Sequence, residues 1–282
     1  MWDFWDNDST FMDAIQIADW ETFEKEIKEL RAKYGRELLF RGQANSDWPL
    51  TTTLERAGAK HMLFREYYEL ICAGMRPEVR AFARVDVPTY DPRWSAEHFL
   101  RADLLYEIGD VLPVDIYRYM AYLRHFGFPS PLLDWSRSPF VAAFFAFRDY
   151  ASGDISPKRS IFAYCEKPLS MKGGTLGQPR IRPMGPYIET HERHFRQRCS
   201  YTICGSFDEN YGWRFDSHQA VFDREHPEQD RLWRFDFPAS ERTKVLEVLS
   251  DYNLNAFSLF GSEETLLETL WLTEHILRER PS

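Results

Sequence analysis

Between positions 19 and 32 the apolar residues Trp20, Phe23, Ile27 and Leu30 recur at intervals of three and four, which predicts an amphipathic helix with one face turned to a core. Asp19 stands before the stripe as an N-cap, and Gly35 follows it as a stop. The period then changes. Glu37-Leu38-Leu39-Phe40-Arg41 is a short apolar run closed by Gly42, the pattern of a buried strand that stops at a turn and leaves Arg41 at its end. Helical spacing returns over residues 54–74. Pro77, Pro88 and Pro92 then mark a long irregular connection, and a second helical region spans 95–124 with Pro113 as an interruption.

From His125 a Gly/Pro loop leads into a short apolar piece around Leu132-Leu133-Asp134-Trp135 and then a helix that is apolar all round. Ser138 as N-cap and Pro139 as first helical residue start that helix, and Ala142, Ala143 and Ala146 let it approach a sheet closely. Residues 159–164, 201–204 and 232–237 predict strands, while the Gly-rich, basic stretch 169–182 reads as an exposed loop. Helices over 239–252 and 263–280 close the chain.

Composition changes the expected core. With 22 Phe, 14 Tyr and 9 Trp, much of it must be ring against ring. A net charge of -9 argues against holding duplex nucleic acid, because that affinity comes from clustered Lys and Arg. The segment 180–198 nevertheless gathers Arg180, Arg182, Arg193, Arg196 and Arg198, a solvated loop or an anion-facing one. Four widely spaced Cys exclude a disulfide framework and read as reduced thiols. No apolar run approaches the roughly 20 residues that span a bilayer, and the first residues carry acids where a signal peptide carries bases. The expectation is a cytoplasmic protein with no membrane partner.

Two ordered motifs carry a resemblance. Phe40-Arg41-Gly42-Gln43, followed by Asp47-Trp48-Pro49-Leu50 and Arg56, resembles the opening of the FRG domain. His125-Phe126-Gly127-x-Pro129 with Leu132-Leu133-Asp134-Trp135-Ser136 and the Ala-rich helix resembles its second signature. A third stretch, 193–202, matches through Gln197, Tyr201 and Thr202, with Cys199 where Gly is expected; Ser130 follows Pro129 where the family has Arg. The family is distantly similar to ADP-ribosyltransferase-like toxins. The resemblance implies an α+β fold with a mixed, mainly antiparallel central sheet of short strands flanked by helices, ADP-ribosyltransferase-like. It also implies one FRG-type domain over 1–282, with an N-terminal helical extension, a helical insertion at about 54–124 and C-terminal helices.

In those toxins an Arg or His on an early strand grips the dinucleotide, a polar-aromatic segment walls the nicotinamide, and a late Glu or Gln orients the attacking group. Arg41, the His125 loop and Gln197 resemble those parts in that order. The implied catalytic set is Arg41, His125, Glu192 and Gln197. The implied binding set is Phe40, Gly42, Gln43, Phe126, Asp134, Trp135 and Tyr201, with NAD as substrate.

Residue chemistry leaves alternatives beside each role. The Arg41 fork suits a pyrophosphate, or it is a buried cation paired with Asp134 or another acid. His125 can carry a proton or hold the loop. Asp134, between apolar neighbours, must find a partner. Gln43 and Gln197 can pair with an amide, but Gln is inert as a base, which makes Glu192 the best available acid, with Glu189 beside it. Trp48, Phe126, Trp135 and Tyr201 can stack on a base or be core. His191-x-x-His194 is half a metal site. Two functions follow: an NAD-dependent ADP-ribosyltransferase or NAD-hydrolysing intracellular toxin or anti-phage effector, with an unknown macromolecular acceptor and an antitoxin or immunity protein as candidate partners; or a non-catalytic module that recognises a nucleotide or protein through the Arg41 pocket.

Overall fold

The computed structural model describes residues 12–35, 37–82, 86–94, 96–100, 111–148, 156–170, 172–174, 177–184, 188, 192–224 and 228–276. In chain order it contains β1 (Met12–Gln16), α1 (Trp20–Tyr34), β2 (Leu39–Gln43), α2 (Thr53–Arg56), α3 (Phe64–Glu69), a π-turn at Leu70–Gly74, α4 (Arg76–Phe82), α5 (Ala96–Phe99) and α6 (Val114–His125). There follow β3 (Leu132–Ser136), α7 (Pro139–Phe147), β4 (Lys158–Cys165), β5 (Arg180–Met184), α8 (Glu192–Arg196), β6 (Cys199–Asp208), β7 (Gly212–Phe215), α9 (His218–Phe222), β8 (Arg231–Pro238), α10 (Arg242–Asp251), α11 (Ala256–Phe260) and α12 (Glu263–Trp271).

The strands form one open sheet in the order β1-β8-β4-β2-β3-β6-β5, with β7 paired to β6. Every pairing is antiparallel except that of β1 with β8. The architecture is therefore mixed, with a mainly antiparallel sheet flanked by helices.

Local chemistry accounts for the predicted helices. Asp19 Oδ1 accepts from the Thr22 amide at 2.9 Å and starts α1, which buries Trp20, Phe23 and Ile27. Ser138 caps the Val141 amide and Pro139 opens α7. On one face of the sheet, α1, α7 and α10 cover Phe40, Ile161, Ala163, Phe235 and Phe237. The Phe23 ring sits 5.5 Å from Phe235 and 5.3 Å from Phe237, so this core is ring on ring. On the other face Leu39, Trp135, Phe162, Tyr164 and Leu232 meet Val221 and Phe222 of α9. A third cluster packs α3 and α6 against Leu132, Tyr201, Ile203 and the rings of β7.

Several expectations change. Residues 54–74 split into α2, α3 and the π-turn, and α4 occupies part of the expected irregular connection. Within 95–124 the helices are α5 and α6, and residues 101–110 lie outside the described set. Residues 180–184 are a strand rather than loop, and α11 precedes the last helix. Arg41 does not end its strand: β2 runs on to Gln43, pairing Gly42 with Ile161 and Gln43 with Ser160 of β4.

Candidate functional site

Along β2 the side chains alternate, so Leu39, Arg41 and Gln43 face one side of the sheet while Phe40 and Gly42 face the other. Five residues of β2 pair with β4, but the opposite edge pairs with β3 only at Phe40–Ser136. Beyond that single pair the two strands part. Arg41 bridges the opening, its Nη1 donating to the Asp134 carbonyl oxygen at 2.8 Å, where a ladder bond would otherwise lie. Gly42 has no positive φ. Its role is contact: a Cβ there would stand 1.9 Å from the Ala142 carbonyl oxygen and 2.7 Å from the Ala146 amide nitrogen. The absent side chain lets α7 lie directly on β2, as its three alanines anticipate.

Around this opening lies a cavity of about 1130 Å³. Its walls come from both sheet faces, Arg41, Gln43 and Trp135 from one and Gly42, Asp134 and Tyr201 from the other. A volume somewhat above that of most ligand pockets leaves room for a nucleotide.

Asp134 does not pair with Arg41 through its carboxylate. Arg124, the last residue but one of α6, takes that carboxylate with its fork: Nε donates to Oδ1 at 2.7 Å and Nη2 to Oδ2. Its Nη1 donates to Thr53 Oγ1 at 3.0 Å, and that oxygen also accepts from the Ser130 amide at 2.9 Å. Tyr67 Oη donates to the Pro129 carbonyl at 2.8 Å, so the Gly/Pro loop is tied to α2 and α3. The sequence reading missed Arg124. The signal for it was a carboxylate in an apolar run that had to have a cation somewhere.

Burial lowers the Arg41 pKa to about 10, against the pull of the Asp134 charge, with Arg124 and Arg56 adding repulsion. It is still a cation at neutral pH, and its Nε has no hydrogen-bond partner. For Asp134, burial raises the pKa, but Arg124 and then Arg41 and His125 outweigh it and hold the carboxyl below its ordinary value. Arg56 is lowered by burial and by Arg124. Among the described residues the cavity lining holds five Lys and Arg side chains, Arg41, Arg56, Lys60, Arg124 and Arg193, against two carboxylates, Glu55 and Asp134. Glu55 is also engaged, accepting from the Thr52 amide at 2.7 Å as part of the cap of α2.

His125 and the Tyr201 hydroxyl are 2.9 Å apart in the cavity wall, with the donor set by the tautomer. Gln197 also lines the cavity, but its amide is occupied: Nε2 donates to the Leu259 carbonyl at 3.2 Å and Oε1 accepts from the Cys199 thiol. Burial pushes the Cys199 pKa up to about 12, so it is a thiol and not a nucleophile. Gln43 donates to the Pro49 carbonyl at 3.5 Å, while its Oε1 has no partner.

Of the expected site residues, Arg41, His125, Gln197, Phe40, Gly42, Gln43, Asp134, Trp135 and Tyr201 all line this one cavity. Two do not. Phe126 is 66% exposed and packs outward on Tyr122, and Glu192 is an exposed side chain of α8 paired with Arg196 at 3.4 Å. Glu189 and His191 lie outside the described residues. Trp48, half exposed, and Phe145 and Phe260 add aromatic surface. No group of three or more His, Cys, Asp or Glu placed to hold a metal occurs among the described residues.

Behind the wall, Trp135 Nε1 donates to Thr202 Oγ1 at 2.8 Å, and Thr202 Oγ1 lies 2.9 Å from His218 Nε2. Which of Thr202 and His218 donates is set by the tautomer of the ring. Burial lowers the His218 pKa to about 3 from 6.5. The unfolded chain therefore binds the extra proton between those values, and stability falls as pH drops from 6.5 toward 3, by up to ~1.4 kcal/mol per pH unit. The slope of urea-unfolding stability between pH 6.5 and 4.5 is expected to fall in His218→Gln; an unchanged slope would show that His218 titrates normally.

Residues 36–154 match the family model of the FRG domain, somewhat under half of the chain. No curated protein and no solved structure matches it.

Proposed function

We propose that the FRG domain carried by residues 36–154 forms, with strands from the rest of the chain, a binding site for a pyrophosphate-bearing nucleotide, with NAD the first candidate. The observation that carries this reading is the convergence of Arg41, His125 and Gln197, distant in sequence, on one cavity with three more Arg, one Lys and several aromatic rings. Guanidinium forks suit phosphate oxygens and rings suit a base. That convergence also supports an ADP-ribosyltransferase-like reading of the fold. Strands of one sheet drawn from residues 12–238 support taking the whole chain as a single FRG-type unit.

Two chemical outcomes share this site. Cleavage of NAD, by transfer to a macromolecular acceptor or by hydrolysis, passes through a ribose that develops positive charge and needs a carboxylate or equivalent beside it. Among the described residues both lining carboxylates are engaged, Asp134 by Arg124 and Glu55 in a cap, and the cationic excess opposes such charge. Recognition without turnover is therefore the reading the geometry favours. A toxin or anti-phage effector with a neutralising partner belongs to the cleavage reading.

Calorimetry with NAD, together with chromatography for released nicotinamide, tests both on the wild type, Arg41→Met and the more exposed Arg56→Ala. Binding without release, weakened about tenfold or more in either variant by loss of a charge-assisted contact, supports recognition. Release that disappears in Arg41→Met supports an NAD-cleaving enzyme. If the folded wild type binds neither NAD nor inorganic pyrophosphate, the site assignment fails.

A further inference from the structure

We propose that the side chains of Lys172 and Asp230 join in an intramolecular amide bond, with Glu166 as the base that relays the proton and Tyr164 as the donor that polarises the carbonyl. This goes beyond the nucleotide reading and does not depend on it.

The loop after β4 brings Lys172 among three acceptors. Its Nζ donates to Asp230 Oδ1 at 2.7 Å, to Glu166 Oε1 at 3.1 Å and to the Ile181 carbonyl of β5. The Lys172 and Asp230 side chains are only 10% and 4% exposed, so an amine and a carboxyl are held in contact away from water. Burying two charges costs desolvation, and condensation to a neutral amide removes both. Asp230, the residue before β8, has a φ of 53°, in the left-handed region that residues other than glycine rarely adopt. Its amide donates to the Glu166 carbonyl at 2.8 Å, so the backbone strain is held in place beside the base. Tyr164 Oη donates to the same Asp230 Oδ1 at 2.6 Å, and Arg182 holds Glu166 Oε1 at 3.1 Å. Burial raises the Tyr164 pKa well above its ordinary value, so the hydroxyl keeps the proton it donates. Burial also raises the Asp230 pKa, against the pull of Lys172, which favours the protonated acid that an amine attacks.

The step balances without a co-reactant. A proton passes from the Lys172 ammonium through the Glu166 carboxylate to Asp230, leaving a neutral amine and a carboxylic acid. The amine lone pair attacks Cγ, one bond beyond the oxygen it already contacts, and the carbonyl electron pair moves onto Oδ1, where the Tyr164 hydroxyl stabilises it. Glu166 takes the surplus proton from nitrogen and delivers it to Oδ2. The electron pair returns from Oδ1, the Cγ–Oδ2 bond breaks and water leaves. Contact between the reacting groups replaces a collision between separate molecules, and burial slows the reverse hydrolysis. The bond would close a loop between positions 58 apart in sequence. The Tyr164 ring lies 5.4 Å from that of Trp135, so the link would stand behind the cavity wall.

Intact-mass spectrometry of the full chain, fresh and after prolonged incubation, is the experiment. The wild type is expected to be lighter than its sequence by one water, and digestion should give a branched peptide joining the segments of Lys172 and Asp230. Lys172→Arg keeps the charge but should show the full mass. Asp230→Asn should be lighter than its own sequence by one ammonia, because the same amide then forms with a different leaving group. Glu166→Ala, folded by circular dichroism, should retain the full mass. A full-mass, folded wild type after incubation overturns the proposal and leaves the four side chains as a buried ion-pair network. So does a lost water that persists in Lys172→Arg or maps to other residues. Complete cross-linking in Glu166→Ala would overturn the assignment of the base.

Discussion

Gly42→Ala is expected to unfold the protein or to destabilise it by about 4 kcal/mol or more, at the severe end of single substitutions. The added methyl carbon would meet main-chain atoms of α7, the nearest at 1.9 Å, and backbone cannot step aside as a side-chain tip can. Relief would require α7 to lift from β2, separating Ala142, Ala143 and Ala146 from the sheet and loosening Phe144 and Phe147 in the core. Because Arg41 adjoins Gly42, that movement would also widen the opening the cavity depends on. Urea unfolding of the purified variant measures the effect. A loss under about 1 kcal/mol, the range of well-tolerated core changes, would show that the α7–β2 contact is softer than its geometry implies.

That glycine shows how far the sequence could be read and where it misled. The apolar run before Gly42 was legible as a strand, and the alanines of the later helix were legible as a close-packing face. Treating glycine as a strand terminator was the error. The two halves of the contact lie a hundred residues apart, and only in three dimensions does glycine become the complement of alanine rather than punctuation. Helices with a chemical start were legible for a local reason: Asp19 and the Ser138-Pro139 pair satisfy the first amides whatever packs around them.

β5 was illegible because Arg180, Arg182 and Pro183 look like loop. Arg182 is made acceptable there by Glu166 at 3.1 Å, and the proline pairs on a strand at the end of the sheet. β6 was read too short because Gly205, Ser206 and Asp208 suggest its end. The strand continues since buried Ser206 donates to Asp216 at 2.9 Å. Most of the residues singled out from the two motifs come together around one cavity, whereas Glu192 was named for its nearness to Gln197 along the chain. The short helix α8 turns that carboxylate away and brings its neighbour Arg193 to the cavity instead.

Asp134→Ala carries the other large expectation. Removing the carboxylate leaves Arg124, whose side chain is 12% exposed, with Thr53 but no acid as a partner and beside a second cation, Arg41. Breaking a buried ion pair from one side typically costs about 3–5 kcal/mol. The Asp134 carboxylate is 39% exposed toward the cavity, so solvent screening reduces the expected loss to about 2–3 kcal/mol. Replacing both members, Arg124→Met with Asp134→Leu, should be less damaging than Asp134→Ala alone, because no unpaired charge is left behind. The pH dependence separates this pair from His218. Asp134 has a depressed folded pKa, so its contribution is complete above its unfolded value near 3.8 and disappears as pH falls through the folded value. His218 acts across the window from 6.5 to about 3. In unfolding measurements the difference between wild type and Asp134→Ala should therefore stay constant from pH 7 to 4.5 and shrink below 3.8, while His218→Gln changes the slope above that point. A double variant as unstable as Asp134→Ala would mean that the pair holds the loop by geometry rather than by charge, and the cavity's electrostatic account would need Arg41 alone.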